Sequence, residues 1–306
     1  MNPVIKIIKK CYGGIMSKAR NLDNKENYRQ GKLLSSNLVF LLLVLVLSLW
    51  SCSLSLEKAQ VHYLAGQKYE ARFKTAEALS CYQAALQEAE KEIKRRPSAS
   101  AYLIKGLVET RLQAWEKAEE SFRLASLLGE EKAGDWSKEV SLYGLALSLE
   151  KQGLTAGAMK LYRSLMEKGK LEPVVQAATG RYLDNRLAGL AEKNEGERRK
   201  VVLDLVNTLE KMLKDYASCG YYHYLLSQVY SFDGKYRESF EEAVLARELG
   251  LASEKLLRDN DEQIIFCYHK LKQVSPEEVT GFLQAYNYWI KKWNWRDETT
   301  PDWKRR

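Results

Sequence analysis

From residue 59 onward the sequence repeats itself at a shift of 40 residues. Aligning 59–92, 99–132 and 139–172 puts Gly66, Gly106 and Ala146 in one column and Ala78, Ala118 and Ala158 in a second. Tyr82, Phe122 and Tyr162 form a third column, Tyr63, Leu103 and Tyr143 a fourth, and Ala85, Ala125 and Leu165 a fifth. In the second half of each unit, Ala, an aromatic and Ala or Leu recur at i, i+4 and i+7, which is one face of a helix. A Gly or Ala in the first half lets two helices close, and the aromatic fills the wedge toward the next pair. Such a hairpin cannot bury its own apolar stripe and must stack on neighbours. The pattern predicts an all-α stack of antiparallel helix pairs. Sparse Gly and Pro, with Leu, Ala, Glu and Lys dominant after residue 55, agree with it.

A fourth unit is recognisable at 220–249, where Tyr230, Ser239, Ala243 and Ala246 fall in the corresponding places and Phe232-Asp233-Gly234-Lys235-Tyr236 makes the turn. Its offset from the third unit is 81 residues, so a degenerate helical pair is expected between them, over 173–214. Ser275-Pro276-Glu277-Glu278 reads as a capping box, which with the preceding helix makes 251–293 a pair of capping helices. Tyr286, Trp289 and Trp293 share a helical face expected to dock on that pair. Residues 294–306, with Trp295, Trp303, Lys304, Arg305 and Arg306, form an aromatic and basic tail.

The columns resemble the tetratricopeptide repeat, whose 34-residue pattern has a small residue at the eighth place, a large one at the eleventh, Ala at the twentieth, an aromatic at the twenty-fourth and Ala at the twenty-seventh. The first unit carries Gly66, Tyr69, Ala78, Tyr82 and Ala85 there; the third has Ala146, Leu149, Ala158, Tyr162 and Leu165. The second has Gly106, Ala118, Phe122 and Ala125, with Glu109 in place of the large apolar residue. The resemblance implies a right-handed superhelical stack of antiparallel helix pairs, a tetratricopeptide-like solenoid over 56–250. The usual proline near the end of each unit is missing or displaced. Longer second helices or connections, such as the segment around Pro97, must absorb the extra residues.

Ahead of this body lies LVFLLLVLVL at 38–47, preceded by a basic stretch and followed by Leu49-Trp50-Ser51-Cys52. Basic, then apolar, then small residue and cysteine is the layout of an export signal. It resembles the signal of bacterial lipoproteins, which implies that 1–51 is a signal or membrane-targeting segment and that Cys52 is the lipidated first residue of the mature chain. Leu33–Trp50 also sits at the lower edge of what crosses a bilayer, so an uncleaved anchor is the competing reading, and Met16 is an alternative start. Both anchors place the body outside the cytoplasm if the basic flank stays inside, on a cell membrane or outer membrane.

The formal net charge is +8, of which residues 1–51 supply six: eight Lys/Arg against Asp23 and Glu26. The body carries only +2, mixed as on solvated helix faces, which leaves no footprint for nucleic acid. Of three histidines, His62 and His223 fall at places that pack between helices, and no HExxH, GxSxG or phosphate-loop motif occurs. Cys81, Cys219 and Cys267 are an odd number at wide spacing and read as small buried hydrophobes. The chain is therefore expected to be no enzyme and to hold no metal or cofactor.

The family pattern places the inner groove on the first helices, nominating Tyr63, Gln67, Leu103, Leu107, Arg111, Tyr143, Leu147, Lys151, Tyr224 and Gln228 as partner-contacting residues. Arg111 and Lys151 would be basic handles for a carboxylate, and Tyr63, Leu103, Tyr143 and Tyr224 an apolar ladder; burial against the neighbouring unit is the competing reading. The expected function is a membrane-tethered scaffold that binds a protein or peptide in the cell envelope. The alternative is a ligand-binding accessory lipoprotein of a solute transport system that takes a small apolar carboxylate.

Overall fold

The computed structural model describes residues 55–129, 136–190, 193–274, 286–289 and 292–293. The targeting segment, Cys52, the 275–278 capping box and the tail at 294–306 lie outside the described residues. The chain divides into two compact units, one ending at Tyr182 and the other beginning at Leu183.

The first unit contains α1 (55–70), α2 (Thr75–Arg95), α3 (Ala99–Arg111), α4 (Trp115–Leu128), α5 (Trp136–Lys151), α6 (Thr155–Lys168) and most of α7 (Glu172–Ala188). Successive helices pack side by side from α2 to α6, and α3 also touches α5 directly, so first helices line up behind one another. The columns read from the sequence are the contacts. The ring of Tyr82 lies so close over Gly66 that a Cβ there would meet it at 2.5 Å, and a Cβ at Gly106 would meet the ring of Phe122 at 2.8 Å. Ala146 is fully buried in the third pair, as are Ala158 and Tyr162. Phe122 also faces forward onto Gly144 of the next pair, at 2.5 Å from a notional Cβ, so one ring is wedged between two glycines of successive first helices.

Each hairpin turn has the same construction. The N–H groups of Lys74, Ala114, Leu154 and Lys235 bond back to the carbonyls of Tyr69, Glu109, Leu149 and Tyr230, five residues earlier. The residue before each of them is left-handed: Phe73 (φ 59°), Gln113 (58°), Gly153 (80°) and Gly234 (77°). This is the Schellman closure of a helix C-terminus, which glycine enters without steric cost and other residues do not.

The extra length over 34 residues is absorbed differently in each pair. In the first, α2 runs for 21 residues and takes most of the EIKRR segment into the helix, ending before Pro97. Ser98 then caps α3, accepting from the N–H of Ala101 at 3.3 Å. In the second, α4 stops at Leu128 and the connection carries the surplus. After α6, the Glu139 carboxylate of α5 accepts from the N–H groups of Lys170 and Leu171, at 2.9 and 2.8 Å, tying the entry of α7 to the third pair.

The second unit holds the end of α7, then α8 (Glu195–Asp215), α9 (Gly220–Phe232), α10 (Tyr236–Leu249) and α11 (Glu254–Val274). Within it α8 packs on α9, α9 on α10 and α10 on α11, with α9 also touching α11. Asn194 caps α8. Tyr286, Trp289 and Trp293 pack against the cluster of Phe240, Ile264, Cys267 and Tyr268, and Tyr286 stacks on Tyr268 at 3.7 Å. Of the three body cysteines only Cys267 is fully buried, where burial pushes its thiol up; Cys81 and Cys219 are half-buried.

Candidate functional site

On the first helices of the first unit, the nominated groove residues separate into two depths. Tyr63 and Leu103 are buried, and so is Tyr224 in the second unit, so most of the expected aromatic ladder packs between helices. Leu107, Tyr143, Leu147 and Arg111 are half-buried, and Lys151 is exposed. Gln67 is half-buried beside Tyr63 with its Oε1 unpartnered. In the second unit Gln228 donates to the Tyr224 hydroxyl at 2.7 Å.

The structure assigns Arg111 a partner that the sequence columns did not bring out. It pairs with Glu70 at 3.4 Å and hydrogen-bonds to Tyr63, while the Tyr82 hydroxyl donates to the same Glu70 carboxylate at 2.7 Å. Burial and then the Glu70 bond push the Tyr82 phenol up, because ionising it would place a second negative charge beside the first. The set recurs in the third pair. Tyr162 donates to Glu150 at 2.8 Å, Glu150 pairs with Arg181 at 3.4 Å, and Tyr143 and Tyr162 lie 6.0 Å apart, as Tyr63 and Tyr82 lie at 5.9 Å. Each clasp binds a hairpin to the first helix of the next. Arg181, not Lys151, is the counterpart of Arg111 in contact terms.

The second pair has no such clasp, since Leu103, Thr110 and Phe122 occupy the places of Tyr63, Glu70 and Tyr82. Among its polar contacts is Glu109, buried where the pattern has a large apolar residue. Glu109 accepts from the Ser121 hydroxyl at 2.6 Å and pairs with Lys105 at 3.2 Å. A carboxylate survives at that depth only when so partnered.

The second unit carries charges of the other sign near its nominated residues. The Tyr224 phenol is pushed up to about 12, first by burial and then by the carboxylates of Asp259, Asp184 and Glu262. His223 is held in a polar contact: its Nδ1 lies 2.6 Å from Glu242 and its Nε2 3.3 Å from the Ala217 carbonyl. An open concavity of about 250 Å³ at the start of α8 is lined by Glu195, Arg198, Arg199, Val202, Phe232 and Asp233, none of them a nominated residue. Among the described residues no group of three or more His, Cys, Asp or Glu side chains is placed to hold a metal. No described helix is long and apolar enough to cross a membrane.

Stacked antiparallel helix pairs, small-residue and aromatic contacts within each pair and Schellman turns between helices define a helical-repeat protein with a tetratricopeptide-like all-α fold. No protein-family model and no curated protein matches the sequence. Solved structures similar to it include Pseudomonas aeruginosa pilF, at 14% identity and a TM-score of 0.41, covering 75% of this chain and 98% of that one. Another is the TPR2AB domain of yeast Sti1 in complex with pHSP90, at 12% identity and a TM-score of 0.32, covering 75% of this chain and 97% of that one.

Proposed function

We propose that the chain is a non-catalytic scaffold, tethered to a membrane through its N-terminal segment, that receives a protein or peptide segment along the first helices of its repeats in the cell envelope. One observation carries this reading: α3 and α5 lie directly against each other, so Leu107 and Arg111 continue into Tyr143, Leu147 and Lys151, all at least partly accessible. An apolar strip ending at the exposed Lys151 suits an extended or helical segment bearing a carboxylate. The tether rests on the apolar run at 38–47 and the motif ending in Cys52. The solute-transport reading needs an enclosed cavity facing Tyr143 and Lys151; Lys151 is exposed, and the concavity at α8 lies among other residues.

The test is affinity capture from detergent-solubilised membranes, comparing the parent chain with Tyr143→Ala/Lys151→Ala, followed by mass spectrometry of both the partners and the N-terminal peptide. The expected result is one partner lost from the variant and an acylated Cys52. Identical partners with an intact fold would remove the strip from the site, and full-length unlipidated protein in the cytosol would remove the tether.

A further inference from the structure

Among the described residues no helix precedes α1, so its outer side has no described hairpin stacked on it. In α3 the residues equivalent to Val61 and Lys68 are Ala101 and Val108, and in α5 they are Ser141 and Ser148; all four are fully buried. In α1, by contrast, Val61 is 62% exposed and Lys68 is exposed. Lys58, Val61, Ala65 and Lys68 follow one another at the alternating three- and four-residue spacing that defines a single helix face, and Arg72 continues the line into the turn. Glu57 flanks its beginning. At its far end stands Phe73, 93% exposed, followed by Lys74, which pairs with Glu77 at 3.6 Å.

Phe73 is costly twice over. It holds φ at 59° in the turn position that the third and fourth repeats give to glycine, and it offers a whole aromatic ring to water. A capping face needs only polarity for solubility. This one is predominantly cationic, carries an apolar residue in its middle and ends in a strained aromatic knob, which is the composition of a surface that lies on acidic lipid headgroups with its ring at the acyl boundary.

We infer that the outer face of α1 and the Phe73 turn form a second membrane contact, which lays the first unit on an acidic bilayer surface. This rests on the tethered reading above and adds what the tether alone leaves free, the orientation of the body. The reach is sufficient: from Cys52 to residue 55 the chain spans at most about 11 Å. The 16 helical residues of α1, about 24 Å long, then extend along the surface to Phe73. A basic patch beside a lipid anchor adds electrostatic attraction to acidic headgroups and fixes which face meets them.

The test uses the full chain, purified in detergent and diluted into vesicles of phosphatidylcholine alone or with phosphatidylglycerol. Alkaline carbonate extraction reports the tether. Emission of Phe73→Trp, taken as the difference from the parent, with brominated-chain lipids as quenchers, reports the face. In acidic vesicles the added indole is expected to shift to the blue and be quenched. With each cation worth roughly fivefold near such a surface, Lys68→Gln/Arg72→Gln lowers the ratio of quenched to unquenched indole by roughly 25-fold. Far-UV circular dichroism confirms folding of the variants, whose altered side chains are all exposed. A carbonate-resistant chain with water-like indole emission overturns the lipid contact and leaves the tether standing, as a face made for a protein would show. Quenching equal in both vesicles also overturns it. A chain that carbonate extracts but whose indole is quenched in a cation-dependent way overturns the tether and supports the face, and a chain showing neither overturns both.

Discussion

Replacing Gly144 with alanine tests the wedge that joins the second and third hairpins. The new methyl would stand 2.5, 2.6 and 2.7 Å from three ring atoms of Phe122, well inside van der Waals contact. The ring has little room to retreat, because it is buried and its tip is also held against Gly106, where a Cβ would meet it at 2.8 Å. Overpacking a closed site costs roughly 1–3 kcal/mol, and close contact with two glycine positions at once puts this one near the upper end. Alanine gains back about 1 kcal/mol over glycine inside a helix, so the net loss is about 2 kcal/mol. The matched control is Gly157→Ala in α6, where the nearest atom is a Leu149 methyl at 3.4 Å. There the propensity gain stands alone, at about 0.5–1 kcal/mol of stabilisation. Urea unfolding followed by circular dichroism reads both. Trimming the ring with Phe122→Leu should absorb much of the Gly144→Ala penalty, giving a double variant clearly more stable than the two losses predict. A Gly144→Ala chain as stable as the parent, or a penalty unmoved by Phe122→Leu, would refute the wedge.

Three further outcomes follow from the polar contacts. Ser121→Ala leaves the buried Glu109 carboxylate with Lys105 alone and one oxygen unbonded, and is expected to cost about 1–3 kcal/mol in urea unfolding, with much of that loss recovered when Glu109→Leu is added. Arg181→Ala should destabilise by about 1 kcal/mol, little of it additional once Glu150→Gln is present, whereas the exposed Lys151→Ala should stay within about 0.5 kcal/mol of the parent. His223 has its folded pKa raised above the unfolded value, first by the bond to Glu242 and, against the effect of burial, by the Ala217 carbonyl. Its contribution is therefore fully present below about pH 6.5 and is lost as pH rises through the folded value. The difference in urea midpoint between parent and His223→Gln should shrink from mildly acid to alkaline pH, and a constant difference would exclude the linkage.

The repeat and its packing logic were open to reading because small and aromatic residues at fixed spacing have one economical use, the close approach of two helices. The clasps were not, for two physical reasons. Their carboxylates, Glu70 and Glu150, sit in a column broken by Thr110, so the set returns after 80 residues and not after 40. Their arginines arrive from the next hairpin at separations of 41 and 31 residues, because α2 runs for 21 residues against 14 in α6 and Arg111 stands further along its helix than Arg181, and a fixed-offset alignment cannot join them. Glu109 read as a departure from the family pattern until Ser121, twelve residues on, supplied its partner. The groove columns did not carry the depth of each side chain: Tyr63 sits inward because the ring of Tyr82 and its neighbours close over that side of the pair.

Because the clasp alternates, the body should be divisible in twos. Excising residues 67–146 would join Gly66 to Leu147 and bring Tyr63 into step with Glu150, Tyr162 and Arg181, restoring like with like. Excising 67–106 instead would set Tyr63 against Thr110 and Phe122, with a phenolic hydroxyl facing a site built for an aliphatic neighbour. The modular unit of this chain for splicing, grafting or shortening is thus a pair of hairpins, although the visible period of its sequence is one.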